Sequence, residues 1–345
     1  MRFWLFLLAL LLLLVAGAGI RLQSFNHFSV VEPVALNRCA TVTGIVGPED
    51  IKIDAKSGLA FISSLDRRDK AARGAIHVFD VSDPLSTAAW RDRTNGAPEA
   101  FKPLGLDYYD DGEVRRLFVI NEATPAVEVF DVAEDGVLTH LESFVERRLT
   151  SPNNVVAVGP RQFYVTNDVR AGRNSLIADL HFLMRIGSGD VFFVDGDVWR
   201  LAAEGLRFAN GLALSPDGGR LYVAETAGNA VKVFERDPSS GALMLSGAID
   251  LEAAPDNINM DEDGALWVGA LPKPLLVPRL HKDLNAIAPS AVIKVTSEGR
   301  TSTIYRNEGD EQSAATVAAR VEDKLLIGAL YEQKFLLCDL PNGAE

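Results

Sequence analysis

Five oxygen-bearing residues stand at equivalent places in a repeated pattern: Glu49, Asn153, Asn210, and the adjacent pair Asp256 and Asn257. Each lies within the first few residues of a short segment of alternating apolar positions: PEDIKID from Pro48, PNNVVAV from Pro152, ANGLALS from Ala209 and APDNINM from Ala254. Carboxylate and amide oxygens, with no thiolate or imidazole among them, are the donor set of a hard cation. A flexible all-oxygen set of this kind suits Ca²⁺ better than Mg²⁺. Two carboxylates, Glu49 and Asp256, would offset the charge. Asp and Asn also favour loop-to-strand junctions through turn chemistry alone, so a single position says little, and the recurrence in four segments is the signal. Competing chemistries lack their motifs. There is no Gly-x-Ser-x-Gly, His-Glu-x-x-His, Cys-x-x-Cys or phosphate-binding glycine loop, and the five histidines are scattered without ligand spacing.

For these residues to converge, their segments must surround an axis. Each opens a predicted β-hairpin, as in APDNINMDEDGALWVG, where Glu262-Asp263-Gly264 turns the chain into a second apolar strand. The same plan recurs in PLGLDYYDDGEVRRLFVIN from Pro103 and AATVAARVEDKLLIGA from Ala314. Six hairpins roughly 50 residues apart predict an all-β, six-bladed β-propeller of four-stranded blades, with the first strands lining a central channel. At 345 residues and 48% hydrophobic content the chain can bury a large core, and no composition shift divides residues 22–345, which read as one propeller domain. A formal net charge of −13 repels a phosphate backbone and excludes nucleic acid as a partner. The local Arg67, Arg68, Lys70, Arg73 cluster reads as a solvated loop, or as an exception that could meet anionic lipid.

Residues 1–21 are a separate object. Arg2 precedes an apolar run from Phe3 to Ile20 that includes Ala16-Gly17-Ala18, which reads as a hydrophobic helix, either a cleaved signal peptide or an uncleaved membrane anchor. Either way the propeller is exported. Cys39 precedes the first hairpin and Cys338 follows the last, so ring closure brings them together, as a disulfide in an oxidising compartment or as two buried thiols. The strand from Lys334 would complete a blade begun near the N-terminus. Between strands, NSLIADLHFLMR from Asn174 places Leu176, Ile177, Leu180, Leu183 and Met184 on one helical face. It reads as a short lid helix over the channel mouth or as a helix packed flat in the core. The long connection from Leu271 would be a second wall of that mouth.

The stretches PEDIKID with GLAFISS, VVAVGP with FYVTND, FANGLALSPDG with YVAE, PDN with LWVG, and KLLIG resemble the serum paraoxonase/arylesterase family in order and spacing. That family consists of six-bladed propeller lactonases and esterases with two calcium ions in the tunnel, and it is related to the regucalcin and gluconolactonase propellers. The resemblance implies a catalytic calcium on Glu49, Asn153, Asn210, Asp256 and Asn257, and a structural calcium on Asp50, the Leu106 carbonyl and Asn154. It also implies a membrane anchor and the disulfide of Cys39 with Cys338. Asn154 departs from the aspartate of the animal enzymes. The family's histidine pair is absent, with Leu104 and Glu122 in its place. The related propellers use a metal-bound aspartate as base, which points to Asp256, with Glu122 and Asp168 as secondary candidates.

The expected activity is therefore calcium-dependent hydrolysis of a small carboxylic ester or lactone by activated water, with Leu104 and the apolar mouth segments favouring a lipophilic substrate. Two rivals follow from the same residues: a sugar-lactone hydrolase of the gluconolactonase type, and a calcium-stabilised propeller that binds a ligand without turnover.

Overall fold

Apolar residues on both faces of every inner strand force each sheet to be covered on two sides, which a ring of sheets achieves without a single central core. In the computed structural model, which describes residues 2–36, 38–83 and 92–340, six antiparallel sheets form the blades. Their innermost strands are Pro48–Asp54, Pro103–Asp110, Pro152–Gly159, Ala209–Leu214, Ala254–Met260 and Ala315–Val321, and each contacts the next in a closed circle. Every junction between neighbouring blades holds its own apolar cluster. In blade three the alternation is explicit: Val155 and Ala157 pack toward blade two, while Val156 and Val158 pack toward blade four.

Blades two to six each have four antiparallel strands in sequence or around the closure. Among the described residues blade one has three strands: Pro48–Asp54, Leu59–Ser64 and Ala75–Asp80. Its outer edge is met by residues 92–94, through Arg93 N–H to Ile76 O and a bridge of His77 with Asp92. Thr94–Asn95 then pairs in parallel with the outer strand Leu138–Phe144 of blade two, so this segment clips two blades together.

The ring closes in blade six, where Cys39–Thr43 pairs with Lys334–Asp339 as the outermost strand. Cys39 lies opposite Cys338, and the two form a disulfide across 299 residues of chain. Loop-closure entropy sets an upper bound of roughly 5 kcal/mol on its contribution. The Cys39→Ser/Cys338→Ser variant is therefore expected to unfold at a distinctly lower denaturant midpoint under non-reducing conditions, matching the reduced wild type. Equal midpoints for the variant and the oxidised wild type would show that strand pairing alone closes the ring.

The N-terminal apolar run forms helix α1 (Arg2–Ser24), none of whose residues is buried and which is long and apolar enough to cross a membrane. Helix α2 (Leu176–Met184) follows the second inner strand of blade three, with the Ser175 hydroxyl capping the Ala178 N–H. Its apolar residues Leu176, Ile177, Leu180, Leu183 and Met184 are all exposed, and Ala178 alone is buried. The helix therefore is not packed flat in the core. It is fastened instead to the base of α1: Phe182 stacks on Phe25 at 5.4 Å, and Arg185 lies over Phe25 while bonding the Ser24 carbonyl.

Candidate metal and hydrolytic site

Every innermost strand carries one extra residue near its start relative to its partner, a β-bulge in each of six blades. A bulge breaks the in-out alternation locally, so two consecutive residues can face the axis instead of one. In blades one, three and five the bulge holds Glu49-Asp50, Asn153-Asn154 and Asp256-Asn257; in blade four it holds Asn210-Gly211. Two backbone N–H groups released from the ladder are taken up by hydroxyls on the paired strand: Asp50 N–H by Ser63 Oγ at 3.0 Å, and Asn154 N–H by Thr166 Oγ1 at 2.9 Å. Glycine lets adjacent bulges meet. A Cβ on Gly105 would lie 2.5 Å from the Asn153 carbonyl, and one on Gly211 would lie 2.6 Å from the Asp256 carbonyl.

The five predicted calcium ligands are brought together and buried. Asn257 donates to Glu49 Oε1 at 2.9 Å, and Asn210 donates to Asp256 Oδ1 at 2.6 Å and to Thr226 Oγ1 at 3.1 Å. These bonds use the amide nitrogens, and Asn257 Oδ1 accepts from Asn154 Nδ2 at 2.8 Å. Glu49 Oε2, Asn153 Oδ1 and Asn210 Oδ1 are buried without a hydrogen-bond partner. Unpaired buried acceptors are costly, and three at one place fit a cation. The carboxyls carry the same signature: burial, with Asp50 and Asp256 adding repulsion against the pull of Arg67, pushes Glu49 up to about 8. Burial, opposed by the Asn210 amide, pushes Asp256 up to about 7. Among the described residues no three His, Cys, Asp or Glu side chains form a ligand cluster, because three of the five donors are amides.

The side-chain oxygens expected to hold a second ion already accept hydrogen bonds. Asp50 Oδ1 accepts from Ile51 N–H at 2.9 Å, and Oδ2 accepts from Leu106 N–H at 2.9 Å and Asn154 Nδ2 at 3.0 Å. Asn154 Oδ1 in turn accepts from Val155 N–H at 2.8 Å. The Leu106 and Asn154 N–H groups thus converge on one carboxylate oxygen of Asp50.

At the mouth, sequence reasoning missed a half-buried cation. Arg173, in the irregular stretch before α2, places Nε 2.7 Å from Asp168 Oδ2, Nη1 3.1 Å from Glu122 Oε2 and Nη2 3.0 Å from the Pro152 carbonyl. Asp168 is fully buried, with its other oxygen held by the Ser151 hydroxyl. A strand-end carboxylate needs a partner, and that requirement was the available signal for Arg173. Arg67 and Arg68 are not a solvated loop: Arg67 bonds the Pro103 carbonyl at 3.0 Å, and Arg68 bonds the carbonyls of Leu280 and Tyr331. Leu104 does not wall the mouth either. It is buried in the cluster between blades two and three, so the entrance is more charged than expected.

The sequence pattern of the arylesterase family matches residues 30–340. Human serum paraoxonase/arylesterase 1 is 32% identical over 91% of this chain and 92% of its own length. Rabbit serum paraoxonase/lactonase 3 is 31% identical over 97% and 99%. In fold, the chain is similar to a gluconolactonase of Xanthomonas campestris (TM-score 0.56, 17% identity, 90% of this chain and 95% of that one). It is likewise similar to the calcium-binding protein regucalcin of Agrobacterium tumefaciens (TM-score 0.55, 17% identity, 87% and 93%).

Proposed function

Since the chain belongs to the arylesterase family, we infer that it is a calcium-dependent hydrolase of carboxylic esters and lactones working at the tunnel mouth. The observation that carries this reading is the set of three unpartnered buried oxygens, on Glu49, Asn153 and Asn210, beside the carboxyl of Asp256. With Asn257 they would hold Ca²⁺, which supplies a Lewis acid for the substrate carbonyl and for the negative charge that develops on it.

The chain's own residues do the rest. Asp256 has one oxygen held by Asn210 and the other without a donor, so we assign it as ligand and as the base that takes the proton of the attacking water. The same proton returns to the leaving alkoxide as the acyl–oxygen bond breaks. Glu122, one oxygen of which is held by Arg173, is the second group able to accept it. Asp168 has both oxygens engaged, by Ser151 and Arg173, and its part is to fix Arg173, which in turn fixes Glu122 and the Pro152 carbonyl beside Asn153. The Arg173→Gln variant is expected to lose roughly 3 kcal/mol of stability, because Asp168 is left buried and unpaired. It should also shift the acid limb of the kcat/KM pH profile, whereas a purely structural role would lower activity without moving that limb.

The charged mouth favours a second reading within the same reaction, a polar lactone of the sugar type, over the lipophilic substrate that Leu104 suggested. We further place the propeller on the exported side of a membrane, tethered by α1 with the exposed apolar face of α2 beside it. The test is hydrolysis of an aryl ester and a panel of alkyl and sugar lactones by the purified protein, with calcium and after chelation. Chelator-sensitive turnover is expected, and the preferred lactone separates the two substrates. Calcium binding with no turnover across the panel would overturn the hydrolase reading in favour of a binding propeller.

A further inference from the structure

The tunnel continues below the candidate ligands, and its lining holds the pair Lys52 and Asp107 with Asn259. Lys52 is two residues beyond Asp50 on the first inner strand, and Asp107 directly follows Leu106 on the second. Both are largely withdrawn from water, their side chains 10% and 14% exposed, with Nζ 3.7 Å from Asp107 Oδ1. The ammonium also donates to the Ile258 carbonyl at 3.2 Å, and Asp107 accepts from Ala157 N–H at 2.8 Å. The positive charge of Lys52 acts on Asp50 as well as on Asp107.

Above this pair, Asn154 is locked in one orientation. Its oxygen faces the Val155 N–H, and its nitrogen faces Asp50 Oδ2 at 3.0 Å and Asn257 Oδ1 at 2.8 Å. Rotating the amide by half a turn would set nitrogen against an N–H and oxygen against two oxygens. The side chain is therefore a donor toward Asp50. The unpartnered buried oxygens of this tunnel belong to Glu49, Asn153 and Asn210 and none to Asp50 or Asn154.

We propose that this propeller holds a single calcium ion, and that the ammonium of Lys52 with the amide of Asn154 replaces a second ion as the counter-charge and crosslink of Asp50. The inference rests on the calcium reading of the first site. A divalent ion answers Glu49 and Asp256, while Lys52 and the amide donors answer Asp50 and Asp107. The lower tunnel is then held by side chains that the fold itself supplies, independently of free calcium.

The test is metal content of the full-length protein by elemental analysis, after equilibration with excess calcium and gel filtration into calcium-free buffer, alongside equilibrium titration with calcium alone. One equivalent per chain is expected, lost in Glu49→Gln. The double variant Lys52→Gln/Asn154→Asp, which returns an acceptor and removes the ammonium, should take up a second equivalent. Two equivalents in the wild type would overturn the inference and leave the hydrolase reading intact. No bound calcium would overturn the metal site and this inference with it. A folded double variant that stays at one equivalent would overturn the assignment of Lys52 and Asn154, and if it fails to fold the wild-type stoichiometry decides.

Discussion

The Asp256→Asn variant is expected to fold and to hydrolyse esters and lactones roughly 10³- to 10⁴-fold more slowly than the wild type. The amide keeps the shape of the carboxyl and can still accept from Asn210, which holds Asp256 Oδ1 at 2.6 Å. It also relieves the burden of a carboxyl that is 8% exposed beside Glu49 and Asp50, so loss of fold is not the expected cause of loss of activity. Two roles are removed together, ligand charge and proton acceptance, and calcium concentration separates them. If Asp256 were only a ligand, raising calcium would restore kcat. If it is also the base, kcat stays low at saturation while the calcium midpoint moves to higher concentration. Turnover within tenfold of the wild type at saturating calcium would remove Asp256 as the base and leave Glu122. The Glu122→Gln variant should cost less, because that carboxylate shares its charge with Arg173.

The six inner hairpins and the five residues proposed for the first site were legible because both depend on local pattern: alternation, turns, and oxygen-bearing residues at strand starts. What could not be read locally was the bulge. It puts Asp50 and Asn154 on the axis beside Glu49 and Asn153, and it becomes visible only through pairing with Ser63 and Thr166 on the next strand. Leu104 shows the cost of this gap: counted from the strand start it belongs at the mouth, yet it packs between blades. Arg173 and Arg67 lie in irregular connections without periodicity, and only the placement of Asp168 and of the hairpin starts gives them partners. Lys52 was hidden differently. It sits in a regular alternation as a charged residue on an inner strand, where composition alone suggests solvent, and the tunnel turns that position inward.

The calcium-free protein is expected to lose stability as pH rises, and calcium to reverse the loss. Burial holds the metal-free Glu49 at about 8 and Asp256 at about 7 in the native state, against 4.5 and 3.8 for the ordinary groups. Between about pH 4 and about pH 8 the native state thus keeps protons that the unfolded chain has released, so stability falls with pH and levels off once both groups have ionised. Taken over both carboxyls the loss has an upper bound of roughly 9 kcal/mol. A cation must displace those protons to bind, so its affinity climbs over the same interval, and the alkaline protein becomes the one most dependent on it. Melting temperatures in chelator and in saturating calcium at acid, neutral and mildly alkaline pH would read this directly as a gap that widens upward. Because the net charge of −13 also disfavours the compact state at high pH, Glu49→Gln is the control. It removes one buried charge out of that total, and should raise the chelated melting temperature at alkaline pH while narrowing the gap. A gap independent of pH, or a Glu49→Gln variant as pH-sensitive as the wild type, would mean that the carboxyls are ionised in the metal-free state. The convergence of oxygens would then not be a proton-for-calcium exchange site.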